Sequence, residues 1–362
     1  MRGRRRFLGQ LPAAGALLAA PAALFANPMD KKKLGVALVG LGGYSTGQLG
    51  PALKVTENCR LAGVVTGSRD KGLAWARDYG FPDTSVYGYD TMARLADNRD
   101  IDIIYVVTPN ALHAEHSIAA AKAGKHVICE KPMAVSVGEC DAIIAACKAA
   151  GVRLSIGYRL HFDPFHEELR RLARTKEFGA FMKMSGGFAF TMRQMQWRAQ
   201  KRLAGGGPLM DLGIYVIQEA CMGAGADPVA VTARERPRKR PEFFADVEES
   251  IEWTMEFAGG ARCECFTSYD EGRNDFRAEA KDGWFEMKPA FNYGGNRGAT
   301  SRGPLAMAPV NQQAVQMDHF AARIRDKLPT RVPGEMGRRD VAILEAIYAS
   351  AAAGGRRVEV RA

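Results

Sequence analysis

Between residues 34 and 150 the chain alternates short, wholly apolar stretches with longer segments of helical pattern, a rhythm that few folds accommodate. Residues 34–39, 60–65, 101–107 and 126–129 read as strands; residues 47–56, 74–79, 111–123 and 137–150 read as helices. Continuous apolar strands linked by helices predict a parallel, doubly wound α/β sheet covered on both faces. Ligands of such sheets bind beyond the carboxyl ends of the strands. The segments that fall there are 40–45, 108–110 and 130–132, which makes Gly40, Leu41, Gly42, Gly43, Tyr44, Thr108, Asn110, Glu130 and Lys131 candidate site residues.

The first of these segments reads Gly40-Leu-Gly42-Gly43-Tyr44-Ser45, between a strand and a helix. Glycines at such a turn let the backbone approach a pyrophosphate, and the following helix offers free N–H groups and a positive dipole end. Ser45 stands where the third glycine of the usual dinucleotide motif lies, so the order of strand, turn and helix carries the reading more than the glycines do. An ordinary tight turn is the plain alternative.

The end of the second strand separates NAD from NADP. An NAD site places Asp or Glu there to bind the ribose hydroxyls. This chain has Thr66-Gly-Ser68-Arg69-Asp-Lys71 instead. Without that carboxylate a 2′-phosphate is not repelled; Thr66 and Ser68 can donate hydrogen bonds, and Arg69 or Lys71 can supply charge. NADP is the cofactor this favours, against the alternative that the two cations are solvated residues opening a helix.

Ahead of the first strand, Arg4-Arg5-Arg6-Phe7-Leu8 precedes an Ala/Leu-rich run over residues 12–26. The run is shorter than the roughly 20 residues of a membrane span and contains Pro12 and Pro21. It reads as a twin-arginine (Tat) signal, which exports folded proteins, and predicts a periplasmic protein with no stable membrane anchor. The net charge of +10 includes Arg2, Arg4, Arg5 and Arg6 of that signal, so removing residues 1–26 leaves about +6. No aromatic-interleaved basic stripe accompanies this modest excess, and no nucleic-acid partner is expected. The densest basic run, 234–240, reads as a solvated loop. The seven cysteines show no zinc or Cys-x-x-Cys spacing. No metal and no disulfide framework are expected, although Cys263 and Cys265 share one strand face.

Beyond residue 181 the pattern changes to strands that alternate apolar and polar residues, at 182–185, 229–233, 250–257, 261–266, 276–280 and 283–287. This predicts an antiparallel sheet with one covered face. Residues 292–309 read as a loop, and 312–324 and 338–352 as helices.

Glu130-Lys131-Pro132, with the glycine turn, resembles the Gfo/Idh/MocA family of oxidoreductases, and most closely its glucose–fructose oxidoreductase branch. Asn110-Ala-Leu-His113, Ile156-Gly-Tyr158-Arg159, Trp197-Arg198 and Gly205-Gly-Gly-Pro-Leu-Met-Asp211-Leu-Gly-Ile-Tyr215 extend the resemblance over nearly the whole chain after the signal. It implies a Rossmann-type domain over 34–157, an α+β substrate and oligomerisation domain over 158–335 with an open, mostly antiparallel sheet, and a helix and tail over 336–362 packed back on the first domain. It implies a homodimer or homotetramer.

The resemblance makes Lys131, Asp211 and Tyr215 the catalytic set. Tyr215 is the general acid/base, Lys131 stabilises the reacting oxygen and Asp211 orients; a structural tyrosine with a satisfied hydroxyl is the alternative for Tyr215. His113, Glu130, Arg159, Trp197 and Arg198 join the cofactor site, and Tyr158, Arg159, Tyr215 and Tyr293 the sugar site; for His161 packing is an equal reading. The implied activity oxidises an aldose at C1 to a lactone with bound NADP and reduces a second sugar to a polyol. An NADP-dependent aldose dehydrogenase with exchangeable cofactor and a nicotinamide-assisted glycosidase are the alternatives. One departure matters: the branch carries a proline-rich arm that helps enclose the cofactor, and here only residues 27–33 lie between signal and first strand.

Overall fold

The computed structural model describes residues 33–361, so the signal reading lies outside the described residues. Six strands, β1 (Leu34–Val39), β2 (Cys59–Val65), β3 (Val86–Tyr87), β4 (Ile103–Val106), β5 (His126–Cys129) and β6 (Leu154–Ile156), form a sheet in the order β3-β2-β1-β4-β5-β6. Every pairing in it is parallel. The order reverses between β1 and β4, which opens a crevice above their carboxyl ends. The helices are α1 (Gly50–Leu53), α2 (Arg69–Tyr79), α3 (His113–Lys122) and α4 (Val137–Ala149). Local chemistry fixes their ends: Ser68 and Ser136 cap α2 and α4 by accepting from the N–H groups of Lys71 and Glu139, and Gly80 closes α2 in the left-handed conformation. β1 and β4 are buried on both faces, as the apolar runs require.

The second sheet has nine strands. They are β7 (Lys183–Ala189), β8 (Pro228–Glu235), β9 (Ser250–Phe257), β10 (Arg262–Ser268), β11 (Arg273–Ala280), β12 (Gly283–Met287), β13 (Gly298–Thr300), β14 (Gly303–Pro304) and β15 (Val358–Glu359), ordered β14-β13-β12-β11-β7-β10-β9-β8-β15. Only β7 and β10 pair in parallel; the others are antiparallel. The alternating pattern reports one buried face: in β9 Ile251, Trp253, Met255 and Phe257 point inward while Glu252 faces out.

The remaining helices are α5 (Pro164–Thr175), α6 (Lys201–Ala204), α7 (Ile214–Ala224), α8 (Gln312–Arg325) and α9 (Gly334–Ala352). α5 and α7 lie together, with α7 against β7 and β10. No described helix is long and apolar enough to cross a membrane.

Three local expectations are refined. Residues 292–309 are not all loop, because β13 and β14 extend the sheet edge there. The C-terminal segment is shared: α9 packs on α4 and β6 of the first domain but also on β8, and β15 pairs with β8 in the second sheet. The basic run 234–240 is exposed from Arg234 to Lys239, but it begins within β8 and ends at half-buried Arg240, which donates to Glu249 and to the carbonyls of Met192 and Tyr269, while Arg236 pairs at the surface with Glu252 and Glu271.

Candidate active site

Two adjoining cavities open at the crevice between β1 and β4. One, of about 700 Å³, is lined by Gly40, Leu41, Gly42, Gly43, Tyr44, Thr66, Ser68, Lys71 and Thr108 among others. The second, of about 530 Å³, is lined by Asn110, His113, Glu130, Lys131, Arg159, Asp211 and Tyr215 among others. Tyr44, Thr108, Trp197, Arg198 and Tyr293 line both and mark the passage between them.

The first cavity suits a dinucleotide. Gly40 has φ +97°, and a Cβ there would meet the Val107 carbonyl at 2.9 Å, so only glycine makes this turn. Beyond it, Cβ positions on Gly42 and Gly43 face open space, leaving room for phosphate against bare backbone. A π-helical segment, Ser45–Leu49, follows the turn, and Ser45 Oγ donates to the Gly40 carbonyl at 2.6 Å. The serine at the third glycine's position thus locks the turn. At the end of β2, Thr66, Ser68 and Lys71 border the cavity and, among the described residues, no carboxylate does. Lys71 Nζ donates to the Leu41 carbonyl, which holds its charge at the glycine turn. Arg69 differs from expectation: it is exposed at the start of α2 and does not line the cavity, because a helix sends residues two apart to different sides.

Lys131 follows β5 and meets a second π-helical segment, Leu209–Gly213, that runs into α7. Lys131 Nζ lies 2.7 Å from the Asp211 carbonyl and 3.3 Å from Asp211 Oδ1. Arg198 Nε is 3.1 Å from Asp211 Oδ2, and the Tyr269 hydroxyl donates to the same oxygen at 3.0 Å. Burial pushes the Asp211 carboxyl upward, but Arg198 and Lys131 outweigh it and hold its pKa at about 2. Burial opposes the Lys131 charge as well, yet Tyr215, Asp211 and Glu130 raise its pKa above the ordinary value. At neutral pH both groups are therefore charged, and neither exchanges a proton readily.

Tyr215 is four residues on and opens onto the same cavity. Lys131 Nζ stands 4.7 Å from its ring centroid and the Arg159 guanidinium 4.9 Å. Arg159 also lies 4.3 Å from the Tyr293 ring. Lys131 is thereby a donor and a fixed charge beside the Tyr215 ring.

Glu130 sits beneath Lys131. Tyr105 donates to Glu130 Oε1 at 2.7 Å, and the Lys131 amide to Oε2 at 3.1 Å. Burial raises the Glu130 pKa against those two partners. Gly157 makes room for it, since a Cβ there would come within 2.4 Å of Glu130 Oε1.

Two predicted residues line the cavity but are occupied by the protein. Asn110 Nδ2 donates to the Ala204 carbonyl at 2.9 Å. His113 has Nδ1 and Nε2 each 2.8 Å from a carbonyl, of Pro132 and of Thr108. Burial pushes its pKa down to about 4, although the two backbone acceptors favour the protonated ring. Geometry makes His113 a strut between two strand ends. Tyr158 is misplaced by sequence reasoning: it is buried away from both cavities with its hydroxyl toward Asp340 of α9, and only its neighbour Arg159 turns into the site. His161 packs as well, against Gln218 of α7.

Sequence reasoning missed the aromatic wall of Phe188, Phe190 and Phe291 and the polar pair Gln196 and Asn292. Phe188 stacks on Phe291 with centroids 5.0 Å apart and meets Tyr215 edge-on at 5.6 Å. Phe188 and Phe190 stand two apart, a spacing that would have revealed them had the strand been carried past residue 185.

Comparison with known proteins agrees with this architecture. Residues 34–158 match the model of an oxidoreductase family with an NAD-binding Rossmann fold, and residues 166–285 match the GFO/IDH/MocA C-terminal domain. A solved aldose–aldose oxidoreductase from Caulobacter crescentus, complexed with glycerol, is 40% identical over 91% of this chain and 100% of its own, with a TM-score of 0.88. D-Xylose 1-dehydrogenase [NADP(+)] from Haloarcula marismortui is 26% identical over 326 residues, 86% of this chain and 89% of the relative. A solved levoglucosan dehydrogenase in complex with NADH, 21% identical with a TM-score of 0.77 over 91% of this chain and 100% of its own, shares the fold.

Proposed function

Because the chain belongs to the Gfo/Idh/MocA family of oxidoreductases, we propose that it is an exported, periplasmic sugar oxidoreductase holding NADP, which oxidises an aldose at C1 to the lactone and reduces a second sugar to a polyol. The observation that carries this reading is the Lys131, Asp211 and Tyr215 constellation beside the passage between a dinucleotide-shaped cavity and an aromatic-walled one. Bound NADP would supply an acceptor, and later a donor, of hydride. The glycine turn with Thr66, Ser68 and Lys71 would hold it.

The sugar would lie on the Phe188 and Phe291 wall, where C–H faces pack on aromatic rings. Tyr215 takes the proton of the C1 hydroxyl as the C1 hydrogen leaves with its electron pair. Lys131, fixed by Asp211, donates to the oxygen as its negative charge develops and the C=O bond of the lactone forms. In the return half-reaction Tyr215 gives its proton to the carbonyl oxygen of the second sugar, so the two halves balance without net proton release. The 40% identical Caulobacter protein is an aldose–aldose oxidoreductase, which supports a two-sugar cycle. The short segment between the signal reading and β1, and the likeness to NADP-dependent xylose dehydrogenases, favour a second reading, an aldose dehydrogenase with exchangeable NADP.

The test is to purify the protein, add glucose without cofactor, follow the near-ultraviolet absorbance of reduced nicotinamide, and then add fructose. A stoichiometric rise reversed by the second sugar is expected. No rise until NADP⁺ is supplied, followed by continuous turnover, establishes the dehydrogenase instead; no response to any aldose overturns both.

A further inference from the structure

A buried chain of hydrogen bonds leads from the cavity into the space between α5, α7 and α8. It starts at Arg159, whose Nη1 donates to Gln312 Oε1 at 2.5 Å and to the Asn292 carbonyl at 2.8 Å, and whose Nη2 donates to the Phe291 carbonyl at 2.7 Å. Gln312 Nε2 donates in turn to Asp163 Oδ2 at 2.7 Å, and Asn296 Nδ2 reaches the same oxygen at 3.1 Å. Asp163 Oδ1 lies 3.0 Å from His166 Nδ1, where the chain of hydrogen bonds ends; His166 Nε2 and Glu219 Oε1 are 3.1 Å apart without hydrogen-bond geometry. His166, Glu219 and Gln312 have no solvent exposure.

Burying two carboxyl groups around one imidazole is a costly way to fill a core, since apolar side chains of the same volume do as well or better for stability. What the arrangement supplies is direction. An amide has one oxygen and one NH₂. With its NH₂ drawn to Asp163, Gln312 must turn its oxygen to Arg159. Asn296 is held the same way, and its oxygen accepts from the Asn292 N–H at 2.9 Å. Both main-chain acceptors of Arg159 therefore lie on a loop pinned through Asp163.

We infer that Asp163, held by His166, is a positioning residue which, through Gln312 and the 291–296 loop, fixes the Arg159 guanidinium against Tyr215 and Tyr293. The inference rests on the oxidoreductase reading of that cavity.

The test uses the whole protein with Asp163→Asn, Gln312→Met and Arg159→Met, singly and with Arg159→Met combined with Asp163→Asn. Gln312→Met and Asp163→Asn should each raise KM for the aldose and lower kcat/KM about tenfold at constant NADP affinity, which a merely structural role would not do. The melting-temperature losses of Arg159→Met and Asp163→Asn should combine non-additively. An active wild type whose kcat/KM is unchanged by Gln312→Met and Asp163→Asn, with additive melting shifts, overturns the inference. A wild type without turnover refutes the oxidoreductase reading, and the melting cycle then decides the positioning role by itself.

Discussion

Replacing Asp211 with Asn isolates the charge at the centre of the site, because the Lys131 contact to the Asp211 main-chain carbonyl at 2.7 Å is untouched and the side chain keeps its size. What disappears is the negative charge between Lys131 and Arg198. The Asp211 side chain is 15% exposed, so solvent screening is limited. The difference between its folded pKa of about 2 and the ordinary 3.8 converts to about 2 kcal/mol of stability. The sign follows from the direction: the folded state binds fewer protons than the unfolded one between those values. The contribution is therefore complete above about pH 4 and lost as pH falls toward 2. Denaturant unfolding of wild type and Asp211→Asn, in low salt from pH 7 downward, should show a gap of about 2 kcal/mol at neutral pH that closes through that acid window. Activity should fall about tenfold, as Lys131 loses the anion that holds its charge. No gap at pH 7, or a gap that stays constant into acid, refutes the electrostatic account of the site.

Tyr215→Phe removes the hydroxyl proposed to carry the proton while leaving the ring that Lys131 and Arg159 face; kcat should fall about 10²- to 10⁴-fold with NADP affinity unchanged, read by single-turnover absorbance and nucleotide titration. Lys71→Met should weaken NADP binding about tenfold or more and NAD binding little, since a hydrogen bond to a charged group contributes roughly 1.5–3 kcal/mol; equal losses for both would remove Lys71 from 2′-phosphate recognition. Gly157→Ala places a Cβ 2.4 Å from Glu130 Oε1, and thermal unfolding should record a loss of about 1–3 kcal/mol from overpacking.

The elements legible in the sequence were those with local causes. The runs at β1, β4 and β5 are apolar because both sheet faces are covered, and the glycine at residue 40 marks a backbone conformation that other residues avoid. Lys131 follows β5 directly, so its place at the strand ends came with the strand. Tyr158 and Arg159 show the limit: they are neighbours in one motif, and nothing local says which of them turns into the cavity. Arg159 faces inward because Gln312, 153 positions away, and the carbonyls of Phe291 and Asn292 receive it. Arg240, at the end of the exposed basic run, is held in the same way, its acceptors at Met192, Glu249 and Tyr269 being invisible to composition.

The chain by itself determined the parallel sheet, the dinucleotide turn and the second, alternating sheet, since periodicity and glycine conformation act over a few residues. Only the tertiary structure decided how the site is assembled. Lys131 meets Asp211 across 80 residues and Tyr269 reaches Asp211 across 58. The aromatic wall joins Phe188 to Phe291. Contacts between segments so far apart depend on how the two sheets pack, and that packing is settled by the burial of whole faces rather than by any short motif.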